Sequence, residues 1–389
     1  MVRWQIPVHE MSALRKHQLS WLLAIPLALP VAAQVVERGN HWDLTLEGYA
    51  NTTTGSSQSV TPDSRNSSED LRIDAALRGL ARWKNPSGPD VGLRAVIESS
   101  PEDRLNLAEA SLLVFGQAGR LEIGKRPGLP DVLTGYAPNS FAFTGGEFGP
   151  ASGPSLDPGG GLQHAFLPAK LAQQLNALAI LGATASLADD RSAKVLYVSP
   201  KHRGFLAGLS YGPNADDPRF DRLIQSGLVH ESYWSSNIFR VGGSYTYSHA
   251  RSGLIVDQRS LHSFNAGATL ILDYDWMLGI SGTWNGTSGL VRYANTAPSD
   301  AFGATASLNY NHGRWTAGAY YQWATAEGDT RTPGNDRLRA VEAGLSYRFT
   351  TKLRLYGAVY SYDFDDEGGM QRIDRHHGTE LLFGVRATL

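Results

Sequence analysis

The amino-acid sequence predicts an all-β protein, a closed barrel of 16 antiparallel strands, from three observations. Apolar and polar residues alternate along many segments, the pattern of strands with two different faces. Short turns alternate with long polar connections. Glycine contributes 42 of the 389 residues, above the usual ~7% and typical of turn-rich β structure. The longest apolar run, residues 21–33, is too short for a membrane-spanning helix, which needs about 20 residues.

Residues 1–33 read as a secretory leader that is removed from the mature protein. Arg15, Lys16 and His17 precede the apolar run, and the run closes on the small residues of Val31-Ala-Ala33. The predicted mature chain is therefore 34–389, with a formal net charge of -4. This charge argues against a nucleic-acid partner, which selects basic proteins. The absence of cysteine excludes disulfides, thiolate metal sites and a cysteine nucleophile.

Period-two alternation is clearest over residues 71–84. Leu71, Ile73 and Leu77 fall on one face of this segment, while Arg72 and Arg78 fall on the other. The same alternation recurs over 239–247, 276–285 and 341–349. These strands share an apolar face and a polar face, as the wall of a barrel in a membrane requires.

The connections between these segments set the strand count. Seven short links are predicted, at 84–89, 117–119, 200–204, 235–237, 273–275, 311–314 and 350–351. Eight longer polar segments separate them, at 52–69, 100–105, 127–190, 212–225, 251–259, 286–300, 325–336 and 364–378. Fifteen connections join 16 strands, and one rim of short turns facing one rim of long loops is typical of outer-membrane barrels. In hydrocarbon every backbone polar group must be paired internally, so the strands must close.

Four stretches resemble the general porins of Gram-negative bacteria, particularly the alphaproteobacterial type. They are Ala110-Ser-Leu-Leu-Val-Phe-Gly-Gln-Ala-Gly-Arg-Leu-Glu-Ile-Gly-Lys125, Gly145-Gly-Glu-Phe-Gly-Pro150, residues 191–211 with their hairpin, and the alternating C-terminal strand that ends at Leu389. The second stretch has the same residue types as the family's Pro-Glu-Phe-Gly-Gly segment, but in a different order. The C-terminal residue is Leu389 where the family usually has Phe.

The resemblance implies a homotrimer of 16-stranded barrels in the cell outer membrane, surrounded by lipid and lipopolysaccharide. Each barrel would be a passive diffusion channel for small hydrophilic solutes and ions, narrowed by an inward-folded third loop, here 127–190. Within that loop, residues 170–185 have helical character. The alternative within the same fold is a substrate-specific channel.

Strand parity and the resemblance together select the candidate pore-constriction residues. Wall-side basic candidates are Arg72, Arg78, Arg82, Arg94, Arg191 and either Lys125 or Arg126. Lys125 has the family's position after the glycine, whereas Arg126 has the parity of an inward-facing residue. Acidic candidates from the loop are Asp131, Glu147 and Asp157. Six basic against three acidic groups favours a weak preference for anions, because fixed charge in a narrow gap focuses the field on passing ions.

Other functions have weaker support in the sequence. A barrel hydrolase would draw on Ser210, within a Gly-x-Ser-x-Gly pattern, and on His230, His249 or His262, but Pro213 follows where a helix should start. A secreted β-protein that binds glycans through surface aromatic residues is the soluble alternative. No cofactor or metal site is predicted, since His376 and His377 are adjacent on an extended chain and point apart. The sequence therefore predicts a channel without a catalytic residue.

Overall fold

The computed structural model is a closed antiparallel β-barrel. It describes residues 35–38, 41–61, 64–99, 105–133, 190–216, 220–251, 259–286, 301–327, 335–365 and 375–388. The predicted leader, 1–33, lies outside the described residues. Among the residues described, no helix combines the length and the apolar character that crossing a membrane would need.

The described residues form 17 strands and one short helix, α1 (Leu129–Leu133), that follows β6. The strands are β1 (Val35–Arg38), β2 (Trp42–Thr61), β3 (Ser64–Trp83), β4 (Asp90–Ser99), β5 (Asn106–Gly116), β6 (Gly119–Lys125), β7 (Ala193–Val198), β8 (Phe205–Asn214), β9 (Phe220–Trp234), β10 (Asn237–Ala250), β11 (Leu261–Leu272), β12 (Trp276–Gly286), β13 (Ala301–His312), β14 (Trp315–Glu327), β15 (Asn335–Arg348), β16 (Leu353–Asp365) and β17 (Arg375–Thr388).

Sixteen strands, β2 to β17, make the wall. Each pairs antiparallel with its neighbours in sequence, and β17 closes the barrel by pairing with β2 from His377↔Val60 to Thr388↔Tyr49. The short strand β1 pairs with β2 from Val35↔Leu46 to Arg38↔Asp43. It therefore continues along the edge of β2 where the pairing with β17 stops. The predicted 16-stranded fold is confirmed.

Side chains alternate between the outer and inner faces of the wall. On β15, Val341 and Leu345 are each 47% exposed on the outside, while Glu342 and Ser346 are buried on the inside. On β12, Ile280 is 62% exposed and Thr283 is buried. The outer face is a continuous apolar surface with the properties of a lipid contact, and the inner face is polar.

Tryptophans mark the rim of short turns. Trp83, Trp234, Trp276 and Trp315 each lie at the strand end beside a short turn, and all are exposed on the outer face. Trp42 is directly opposite Trp83 in the register and is also exposed, although less than Trp83. Amphipathic indole rings at this level are typical of the boundary between hydrocarbon and headgroups.

The seven predicted short turns all separate consecutive strands at one rim, and the other connections join the strand ends at the opposite rim. One prediction is wrong: most of 52–69, read as a loop, extends β2 and β3 into paired strands of 20 residues each. Their register is continuous from Trp42↔Trp83 to Thr61↔Ser64. Backbone pairing extends the hairpin, and the Ser/Thr-rich sequence has no apolar alternation that would predict these strands.

Adjacent positions on β12 test the assignment of faces. Ile280→Arg places a charge on the lipid face between Trp276 and Trp284, at a cost of about 2 to 4 kcal/mol near the bilayer midplane. Ser281→Arg places the same side chain on the inner face, beside Thr305. We expect Ile280→Arg to reduce the yield of heat-modifiable, folded barrel far more than Ser281→Arg. Equal yields would mean that the faces are assigned wrongly.

Candidate functional site

The first part of the long 127–190 connection enters the barrel. Strands β6 and β7 have only seven and six residues, against eleven and ten in β5 and β8, so the chain leaves the wall early. Leu129 and Leu133 of α1 are buried against Leu196, Val198 and Val229 on the inner face. The remainder of this connection, 134–189, lies outside the described residues, and so does the predicted helical stretch 170–185.

Two glycines make room for α1 on the wall. A Cβ at Gly208 would lie 2.6 Å from Leu129 Cδ1 and 3.1 Å from Leu133 Cδ1, and one at Gly227 would lie 2.9 Å from Leu133 Cδ1. The Leu129 backbone N–H donates to Gln225 Oε1 at 2.9 Å, and this hydrogen bond fixes the first residue of α1 against β9. The segment is therefore held by apolar packing and by one buried hydrogen bond.

A chain of alternating charges lies beside this entry point, on β4, β5 and β6. Glu109 Oε2 is 3.0 Å from Arg94 Nε and also accepts from Arg126 Nη1. Arg126 Nε is 2.6 Å from Glu122 Oε2, and Arg120 Nε is 2.8 Å from Glu122 Oε1. We call these five residues, Arg94, Glu109, Arg126, Glu122 and Arg120, the charge ladder. It holds three positive and two negative groups.

Ion pairs on neighbouring strands fix the backbone around the charge ladder. Lys194 Nζ lies 2.9 Å from Asp190 Oδ1 and donates to the Arg126 carbonyl at 2.9 Å. Arg191 Nη1 lies 2.6 Å from Glu98 Oε2, and the Arg191 backbone N–H donates to Asp216. The two ends of the long connection, at 126 and 190, are thereby tied together on the inner face.

The predicted basic residues fall into different places. Arg94 and Arg126 are in the charge ladder, and Arg78 pairs with Glu47 at 3.5 Å on the same wall. Arg82 lies nearer the short-turn rim, 2.6 Å from Asp90 Oδ2, with its guanidinium carbon 4.7 Å from the Phe115 ring centroid.

Lys125 and Arg126 point to opposite faces. Arg126 is 3% exposed on the inside, whereas Lys125 pairs in register with Ala110 and donates to the Leu107 carbonyl at 3.0 Å. Arg126 directly follows the last paired residue of β6, and its burial and its contacts with Glu109 and Glu122 place its side chain on the inner face.

Several predicted residues have no described side chain. The backbone of Arg72 lies in β3 opposite Thr53, and that of Asp131 lies in α1. Glu147 and Asp157 lie outside the described residues. The acidic side of the constriction therefore stays a prediction.

Sequence reasoning missed the carboxylates that pair with the arginines: Glu47, Asp90, Glu98, Glu109 and Glu122. It also missed Arg120 and Lys194. The count of six basic against three acidic groups omits all of these. Parity alone could have found Glu109 and Glu122, since both alternate with outward-facing Leu112 and Ile123 on their strands. The pairing of one residue with another needs the register.

Away from the charge ladder, β8 to β13 present mainly neutral polar groups to the interior. The buried ones are Ser210, Gln225, Ser244, Thr246, Ser248, Ser263, Asn265, Thr269, Thr283, Asn285, Ser307 and Asn309. The interior is thus asymmetric: ion pairs are frequent on β3 to β7, whereas β8 to β13 carry mostly hydroxyl and amide groups besides the Arg240–Glu231 pair.

The residues of the hydrolase alternative are not assembled into a triad. Ser210 Oγ donates to Gln225 Oε1 at 3.0 Å, while His230 lies five residues further along β9, about 17 Å at the rise of a strand. His249 pairs with Asp221, and His262 with Tyr245 on the outside. Within the described part of the chain, no group of three or more His, Asp or Glu side chains could hold a metal ion.

Comparisons with known proteins agree with this architecture. A family model described as Gram-negative porin matches residues 20–367. No curated protein sequence matches significantly.

Solved barrels share the fold at low sequence identity. OmpF of Salmonella typhi, in a complex with daunomycin, is 12% identical with a TM-score of 0.59, over 90% of this chain and all of that one. An anion-selective porin from Comamonas acidovorans is 15% identical with a TM-score of 0.55, over 90% and 100%. OmpT of Vibrio cholerae, in a trimer form, is 14% identical with a TM-score of 0.56, over 89% and 99%.

The glycine gap under α1 gives a direct test of the entering segment. Gly208→Val fills the space of the Leu129 and Leu133 side chains and should displace residues 127–133 from the wall. We expect a higher single-channel conductance from a barrel that still folds. Gly282→Val is the matched control, because a Cβ there meets no atom closer than 3.5 Å. An unchanged conductance in Gly208→Val would contradict the view that this segment narrows the interior.

Proposed function

The chain belongs to the Gram-negative porin family, and we propose that the charge ladder beside α1 is the selectivity region of its channel. The barrel lies in the outer membrane and allows passive diffusion of small hydrophilic solutes and ions. Family and fold are those of a channel rather than of an enzyme. The proposal concerns which part of the interior a passing ion meets at the narrowest point.

One observation carries the proposal: fixed charges project from β4, β5 and β6 at the level where the long connection turns inward. A solute that passes α1 must cross between this face and the neutral wall opposite. Charged groups held in low-dielectric walls act strongly on an ion in a narrow gap. The facing strands β8 to β13 offer mainly hydroxyl and amide groups, which hydrate a solute without sorting it by charge.

We propose a weak preference for anions. The predicted mature chain, 34–389, would carry a net charge of -4, but groups more than about 8 to 10 Å from a passing ion are screened by salt. The charge ladder has one positive charge in excess. Pairing of most of its charge makes the excess small, so selectivity should be modest. The anion-selective Comamonas porin shows that this fold supports such a preference.

Neighbouring residues on opposite faces test the proposal. Arg126→Gln and Lys125→Gln remove the same charge, but only Arg126 belongs to the charge ladder. We expect the zero-current potential in a KCl gradient to move toward cation preference in Arg126→Gln and to stay unchanged in Lys125→Gln. Glu109→Gln should move it in the opposite direction, toward anions.

Arg126→Gln and Glu109→Gln remove charges of opposite sign from the charge ladder, so they should shift the zero-current potential in opposite directions. If Arg126→Gln and Lys125→Gln shift the potential equally, the overall charge of the protein decides and the charge ladder is not the selectivity region. If Glu109→Gln leaves the potential unchanged, Glu109 does not line the permeation path. Heat modifiability of each variant controls for folding.

We also propose a homotrimer in contact with outer-membrane lipid and lipopolysaccharide. A trimer form of the Vibrio OmpT barrel and the apolar outer face of this one support it. Crosslinking of the detergent-extracted protein should give a band of three subunits that heating converts to one. A species that remains monomeric in mild detergent would rule the trimer out.

A further inference from the structure

We propose that the short-turn mouth of the barrel holds a second anion site, which binds small phosphate-type oxyanions. It is built on a row of arginines on β15, β16 and β17, separate from the charge ladder. Arg348 is directly opposite Arg354 in the register, and Arg354 is directly opposite Arg386. Neighbouring strands are about 4.8 Å apart, so three guanidinium groups project inward along a line of about 10 Å.

A cavity of 330 Å³ opens beside this row, between the turns that end β11, β13 and β15. Its lining includes Tyr274, Asp275, Asn311, Arg314, Arg348 and Arg354. Three of these side chains are cationic and one, Asp275, is anionic. The cavity is therefore positive overall and has room for a small solute.

The arginines of the row differ from those of the charge ladder in their partners. Arg348 Nη2 donates to the Gly313 carbonyl at 2.8 Å, a contact that orients the guanidinium without neutralising it. Among the residues that the structure describes, neither Arg348 nor Arg354 is within ion-pair distance of a carboxylate. Arg386 makes a favourable cation–π contact, with its guanidinium carbon 4.3 Å from the Tyr49 ring centroid.

Like charges directly opposite on neighbouring strands destabilise a sheet. The charge ladder avoids this cost because each arginine there contacts a glutamate. No described carboxylate lies within ion-pair distance of Arg348 or Arg354, so an anion from solution can act as their counterion in the cavity that they share with Asp275. A bound anion would relieve the repulsion, and the mouth of the pore is where such anions arrive or leave.

The geometry favours phosphate-type anions over simple carboxylates. A guanidinium donates two parallel hydrogen bonds to neighbouring oxygens, and a tetrahedral phosphate has oxygens enough for more than one guanidinium. Thr316 Oγ1 donates to Asn311 Oδ1 at 2.7 Å, so the amide N–H groups are what Asn311 can offer to an anion. Two phosphate groups in one molecule match the spacing of adjacent arginines, so inorganic diphosphate is the probe of choice.

Calorimetric titration of the folded, detergent-solubilised barrel with inorganic diphosphate at low salt tests the site. We expect saturable binding, weakened about tenfold or more in Arg348→Gln/Arg354→Gln through loss of charge-assisted hydrogen bonds. Lys352→Gln is the control, because it removes one positive charge from the same turn. We expect it to bind diphosphate within about twofold of the unmodified barrel, since the site depends on the placed arginines and not on net charge. Arg126→Gln, in the charge ladder, should also retain binding.

Three results would overturn the inference: no saturable binding to the unmodified barrel, equal binding by the double variant, or succinate binding as tight as that of diphosphate. If the double variant fails to fold, block of the current through the unmodified protein in a planar bilayer still tests the site. Diphosphate added to one chamber should block chloride current at lower concentration than diphosphate added to the other, and a symmetric block would overturn the site. Binding in detergent requires no conduction, so failure here leaves the proposed selectivity region untouched.

Discussion

The structure depends on one constraint: at membrane depth, every backbone N–H and C=O must find its partner within the protein. Sixteen strands meet it by closing on themselves through β17 and β2. The closure would still leave part of one edge of β2 open where β17 ends at Thr388, and β1 pairs with that part. An open edge there would expose backbone groups that hydrocarbon cannot satisfy.

Closure of the sheet creates an enclosed interior, and the alternation of side chains along each strand makes that interior polar. The short strands β6 and β7 then let the chain leave the wall and turn inward, where Gly208 and Gly227 give α1 a place to pack. The arginines that parity directs to the same region lie on adjacent strands, close enough to repel one another. Glu109 and Glu122 offset that repulsion. Removing one member of such a buried pair costs about 3 to 5 kcal/mol, because the partner charge is left uncompensated.

The sequence predicts the wall better than it predicts the site. Short turns and alternation are local signals, so the strand count and most turn positions follow from residues near one another. The long hairpin over 52–69 escapes prediction because its Ser/Thr-rich strands are held by backbone pairing and carry no apolar stripe. Helix α1 escapes it because five residues are too few for a periodic pattern. The contacts of Glu109 with Arg94 and Arg126 depend on the register of three strands, which no single segment encodes.

On our proposal the inner face of β4 to β6 lines the permeation path, and the absence of native cysteine allows a direct test by thiol labelling. Arg94→Cys places a single thiol on the inner face, and Leu93→Cys places one on the outer face, where Leu93 is 63% exposed. A negatively charged, membrane-impermeant thiol reagent applied during single-channel recording should lower the current stepwise in Arg94→Cys and leave Leu93→Cys unchanged. A labelled Arg94→Cys channel with undiminished current, or an equal effect at both positions, would show that this face does not line the permeation path.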